Sequence, residues 1–288
     1  MSEGIFSLRR ASILCGIFNA LGVVLGQLLG GRVSQTVFSL VRLDNPLQEK
    51  IAIISTLGVV IIFGIGAWAL GMPSSESHAM LCALVGAGFY FGSGLTFDSL
   101  VWIFACMAFS SLLVLLLAFF LSRVLRAIRL PHKSVMLICL CLLSLLHGWQ
   151  DGAKFIGIFD FLSPKSNTPS SILGISSPIL IVGVFLFVGS FLCSKRIVSS
   201  YESSVILSKS ESCYADFATS CVLFLCSLLG FPISTGVVKI FGSLGVGIKK
   251  KGAINKKIAT SVVITSVATF PICFFLGYLL ALVISYVL

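Results

Sequence analysis

Nine apolar runs fill most of this 288-residue chain, at roughly 11–31, 51–71, 76–95, 100–122, 134–158, 175–194, 213–231, 232–248 and 258–287. About 20 consecutive apolar residues suffice for a helix to cross the hydrocarbon core of a bilayer. Hydrophobic residues make up 57% of the chain and charged residues only 10%, with a mean hydropathy of +1.10. No soluble domain of this size needs that composition. The fold class is therefore all-α, a polytopic transmembrane helical bundle. Two of the runs, 76–95 and 232–248, are short and Gly-rich and are compatible with full spans, half-helices or re-entrant hairpins. The first run, 11–31, is too long for a signal-peptide core and carries Asn19 and Gln27, so no cleavable leader is expected.

A net charge of +10 would suggest nucleic acid in a soluble protein. Here the basic residues lie between apolar runs, where they set orientation, so membrane lipids and not nucleic acid are the expected surroundings. With a cytoplasmic N-terminus and nine crossings, the inner side holds Arg9, Arg10, Arg123, Arg126, Arg129, Lys133, Lys195, Arg196, Lys209, Lys249, Lys250, Lys251, Lys256 and Lys257. The outer side holds Arg32, Arg42, Lys50 and Lys165. That bias supports this orientation, and a multi-pass protein of the cell inner (cytoplasmic) membrane is expected. The ten cysteines lie in or beside apolar runs without metal-ligand spacing and read as small buried hydrophobes. No nucleotide loop or catalytic triad is present in the pattern, so no enzyme is expected.

Polar residues inside the apolar runs are the functional candidates. On the helix expected over 134–158, His147, Gln150, Asp151 and Lys154 share one face. A membrane carboxylate such as Asp151 can hold Na⁺ or carry a proton, and its spacing also allows a plain pair with His147 or Lys154. Two Pro-Ser segments, GMPSSESHAM (71–80) and GFPISTGVVK (230–239), each follow an apolar run. Proline suits a first helical turn, hydroxyls cap free N–H groups, and a helix start can bind phosphate. Ser75 and Ser77 in one segment, and Ser234 and Thr235 in the other, are thus either anion ligands or ordinary caps. Glu76 reads as a second cation ligand or an interfacial carboxylate, and His78 as a site donor or a satisfied interhelical histidine. Lys154 and Lys239 supply charge to a site or snorkel to the interface.

The two segments belong to an internal repeat. A span, a basic turn (GGRVSQTV, 30–37; SKRIVSSYE, 194–202), a second span, a Gly-x-Pro-x-Ser segment and a last span occur twice. The expected units are 1–130 and 131–288. In the orientation above they run in opposite senses, a transporter design. The helix bearing His147–Lys154 has no counterpart in the first unit. Either that unit lacks it, or the frame lacks roughly forty N-terminal residues.

At these residues the chain resembles the inorganic phosphate transporter (Pit) family, whose members carry two Gly-Ala-Asn-Asp signatures and paired Pro-x-Ser-Thr/Ser-Thr/Ser-His segments. HGWQDGAKFIGIF (147–159) is similar to the second signature, and SLRRASILCGIFNALGVVLGQLLGGRVSQTV (7–37) to the stretch after the first. The likeness runs in order over nearly the whole chain. The first signature is absent, Trp149 replaces a small residue, Glu76 stands where many members have Thr or Ser, and Gly236 and Val237 replace Thr-His.

The resemblance implies uptake of inorganic phosphate by a cation-coupled symporter. Ser75, Ser77, His78, Gln150, Ser234, Thr235 and Lys154 would bind substrate, and Asp151 and Glu76 the driving cation. It implies no cofactor beyond the coupling ion, H⁺ or Na⁺, and is compatible with a homodimer. The rival readings are a non-transporting truncated paralogue or subunit, and an intramembrane enzyme using His78 with Ser75 or Asp151.

Overall fold

The computed structural model describes residues 7–43, 45–70, 75–93, 97–125, 132–162, 171–172, 175–248, 250 and 253–287. These hold α1 (Leu8–Leu28), α2 (Arg32–Phe38), α3 (Pro46–Leu70), α4 (Glu76–Tyr90), α5 (Phe97–Leu125), α6 (His132–Leu162), α7 (Ser177–Ser204), α8 (Lys209–Leu229), α9 (Thr235–Gly247) and α10 (Lys256–Val287). Two-residue strands, β1 (Ser171–Ile172) and β2 (Ile175–Ser176), pair before α7. Among the described residues, six helices are long and apolar enough to cross a membrane. Arg126, Arg129, Lys165, Lys249, Lys251 and Pro73 of the sequence reading lie outside the described residues.

The two runs whose spanning the sequence left open, 76–95 and 232–248, form short helices. With 15 and 13 residues, α4 and α9 are only ~22 and ~20 Å long, short of a ~30 Å hydrocarbon core. Each instead folds back on the helix before it. Ile51 and Ala52 at the start of α3 pack with Ala87 and Tyr90 at the end of α4. In the same way Gly242 of α9 lies against Thr219 and Ala215 of α8. These are antiparallel hairpins with buried tips at Ser75 and Ser234.

The two hairpins are related by an internal symmetry. Ser75 and Ser234 are 159 positions apart. The same shift carries the end of α3 onto the end of α8, and the starts of α4 and α5 onto the starts of α9 and α10. It also carries contacts onto contacts. A Cβ on Gly86 would lie 2.0 Å from the Phe274 carbonyl oxygen, and one on Gly245 would lie 2.3 Å from that of Leu115. Gly86 maps to Gly245 and Leu115 to Phe274, so each half's short helix packs on the other half's last span. Ser75 and Ser234, equivalent under the same shift, touch each other. The sequence spacing hides it: Arg32 to Pro73 is 41 positions and Arg196 to Pro232 is 36, because the unequal lengths fall before α3 and α8.

Helix α6 is set against α1 by small residues. A Cβ on Gly148 would meet the Asn19 carbonyl oxygen at 2.0 Å, and Gly152 faces Val23. Backbones that approach this closely need glycine, and such contacts drive helix association where lipid removes the hydrophobic incentive. Gly26 of α1 makes room for the Trp149 indole, whose Cδ1 lies 2.3 Å from where a Cβ would stand. Trp149 is buried and meets Phe224 edge-on, with centroids 6.0 Å apart. The bulky residue in the signature is therefore accommodated by a glycine on the neighbouring helix.

Candidate functional site: two helix starts against α6

The second tip is built by interrupted helix chemistry. Helix α8 stops at Gly230, which takes φ 77°, a left-handed conformation natural to glycine at a helix end. Pro232 then offers no N–H, and α9 restarts with Ser234 as its cap, accepting from the Val237 amide at 3.4 Å. The Phe231 and Ile233 carbonyls are consequently left to outside donors. Gln150 Nε2 donates to Phe231 O at 2.7 Å and Lys154 Nζ to Ile233 O at 2.8 Å. The first tip mirrors it: Ser75 caps α4, accepting from the His78 amide at 3.2 Å. The two caps touch, Ser75 Oγ donating to Ser234 Oγ at 2.8 Å.

The polar face of α6 closes this junction. Lys154 Nζ lies 2.7 Å from Asp151 Oδ1 and 2.5 Å from Ser77 Oγ. Ser77 Oγ donates in turn to Ile233 O at 3.2 Å. Thr235 Oγ1 donates to Asp151 Oδ2 at 2.9 Å, and His147 Nδ1 stands 3.4 Å from the same oxygen. Ser227 Oγ donates to Gln150 Oε1 at 3.0 Å. Gln150 and Lys154 are buried, whereas the Asp151 side chain keeps 13% exposure and His147 40%. Glu76, the first residue of α4, is also exposed and lies within electrostatic reach of Asp151, His147 and Lys154. His147 and Glu76 thus mark the side from which the carboxylate is reached.

Of the residues singled out in the sequence, Ser75, Ser77, Gln150, Asp151, Lys154, Ser234 and Thr235 converge. Glu76 borders them without a hydrogen bond or ion pair to a described residue. His78 turns away: it is buried, its ring lies 4.8 Å from that of Phe270, and its Nδ1 has no partner among the described residues. It lines a separate, mostly apolar cavity of about 690 Å³ between α5 and α10. Lys239 joins Asp216 in an ion pair across the α8–α9 hairpin. Arg32, read as a topology anchor, donates to the Leu228 carbonyl at 3.0 Å and so caps the end of α8. Sequence reasoning missed Ser227 and the two backbone acceptors. The Gly-x-Pro interruption was their signal, since unwound carbonyls at such breaks are ligands in transporters.

The capping serines allow a direct check. Ser75→Ala and Ser234→Ala should each cost about 1 kcal/mol of stability through a lost cap. Because the hydroxyls touch, the double variant should depart from additivity by at least ~0.5 kcal/mol. Melting of the four proteins in detergent measures the cycle, and strict additivity would contradict the contact.

A model of the phosphate transporter family matches this chain twice, over residues 1–139 and 129–277. The chain belongs to that family. It is 23% identical over 286 residues to a probable low-affinity inorganic phosphate transporter of Bacillus subtilis, covering 93% of this chain and 84% of the relative. A protein of the same description from Rhizobium meliloti is 26% identical over 263 residues, covering 83% and 78%. A sulfate permease of Bacillus subtilis is 23% identical over 248 residues, covering 84% and 68%. Among solved structures, a sodium-dependent phosphate transporter shares the fold with a TM-score of 0.87 at 18% identity, over 99% of this chain and 92% of that one. These relatives are transporters and not enzymes. Family and spans together make this a multi-pass protein of the cell inner membrane.

Proposed function

We propose that this chain moves inorganic phosphate across the membrane as a cation-coupled symporter, with its site at the junction of α4, α6 and α9. The contact of Ser75 with Ser234 carries the reading. It brings two helix starts, each with unspent N–H donors and the positive end of a dipole, to one point. Two such ends facing each other suit a multiply charged tetrahedral anion. Asp151 ties the driving cation to the same point, so cation and anion load cooperatively. Residues 1–130 and 131–288 act as two inverted repeats that rock about the site. Lipid surrounds the outer faces, and H⁺ or Na⁺ is the coupling ion.

Sulfate is the second reading, favoured by the sulfate permease among the relatives. Competition separates the two. With labelled phosphate entering proteoliposomes, unlabelled phosphate should suppress uptake at least ~10-fold more effectively than sulfate, a difference of about 1.4 kcal/mol in binding. Stronger competition by sulfate would reassign the substrate.

A further inference from the structure

We propose that the ammonium of Lys154 occupies the place of a sodium ion, so that this chain loads its oxyanion without sodium. The proposal deepens the symport reading above and rests on it for the oxyanion. An ammonium has three N–H donors and no acceptor. Lys154 spends all three, on Asp151 Oδ1 at 2.7 Å, Ser77 Oγ at 2.5 Å and Ile233 O at 2.8 Å. A carboxylate, a hydroxyl and an unwound backbone carbonyl are the hard oxygen ligands that hold Na⁺ at broken helices. Here a tethered cation already fills them.

Charge and space point the same way. Lys154 is 2% exposed, so its charge is held out of water and needs the Asp151 carboxylate as counter-charge. Asp151 is the carboxylate in contact with that cation, Glu76 bordering the pair without an ion pair to a described residue, and a sodium ion at these oxygens would sit in contact with the ammonium in a low-dielectric interior. The other Asp151 oxygen is engaged by Thr235 and His147. With its donors spent, Lys154 has none to offer a phosphate oxygen, which leaves anion binding to the helix starts.

The test reads sodium itself and uses no phosphate, so a failure of the phosphate reading does not disturb it. The full chain in detergent is melted in sodium chloride and in choline chloride of equal ionic strength, and saturable binding of ²²Na⁺ is measured. Wild type should melt at the same temperature in both salts and bind no saturable sodium. Lys154→Ala and Lys154→Ser vacate the cradle, and should melt about 5 °C higher in sodium than in choline at saturating salt. Saturable sodium binding by wild type that Asp151→Asn removes would overturn the proposal. So would folded Ala and Ser variants that are both indifferent to sodium. Where neither variant folds, the wild-type ²²Na⁺ measurement decides alone.

Discussion

Asp151→Asn is expected to reduce gradient-driven phosphate uptake to the level of protein-free vesicles. The substitution keeps the shape and removes the charge. It leaves Lys154, buried at 2% exposure, without its carboxylate 2.7 Å away. Removing one partner of a buried pair typically costs ~3–5 kcal/mol, so the variant should also melt well below wild type. Lost stability and lost function are separated by a second protein. In Asp151→Asn/Lys154→Met both charges go together, and replacing a buried pair by neutral groups is close to neutral for folding. The double variant should recover most of the lost melting temperature and none of the uptake. Recovery of both would make Asp151 a purely structural partner of Lys154.

Gly148→Leu is expected to prevent assembly of the bundle. The Cβ alone would fall 2.0 Å from the Asn19 carbonyl oxygen, which belongs to the α1 backbone and cannot rotate aside. Helix α1 would have to move away from α6, breaking the Gly26–Trp149 contact. Overpacking of an ordinary core costs ~1–3 kcal/mol, and a clash with a rigid helix exceeds that. Size-exclusion chromatography after mild detergent extraction should show aggregate in place of a monodisperse peak. Gly64→Ala and Gly66→Ala are the controls. A Cβ at either meets nothing within 4 Å, and alanine is favoured over glycine within a helix by up to ~1 kcal/mol. Both controls should express as well as wild type. Normal assembly of Gly148→Leu would mean that α1 and α6 do not pack as described.

The apolar runs locate the helices because a membrane span must satisfy its own backbone and cover it with apolar side chains. Thus 258–287 corresponds to α10 (Lys256–Val287) and 76–95 to α4 (Glu76–Tyr90). Helix α2 (Arg32–Phe38) was not legible, since seven largely polar residues carry no such signature. The polar face of α6 was legible because 3.6-residue periodicity fixes which side chains share a side. The Phe231 and Ile233 carbonyls were not, because every residue has a carbonyl and only the chain path frees these two. The direction of His78 was also hidden. It depends on how α4 is rotated, and that is set by the close approach of Gly86 to Phe274 in a helix nearly two hundred residues away in sequence.

The account turns on oxyanion transport at the paired helix starts, and labelled phosphate uptake into proteoliposomes holding this 288-residue chain tests it most directly. An imposed proton gradient, in sodium-free medium, should drive uptake above that of protein-free vesicles, and collapse of the gradient should stop it. Folded, reconstituted protein that takes up no more phosphate than empty vesicles, under either a proton or a sodium gradient, would contradict the account.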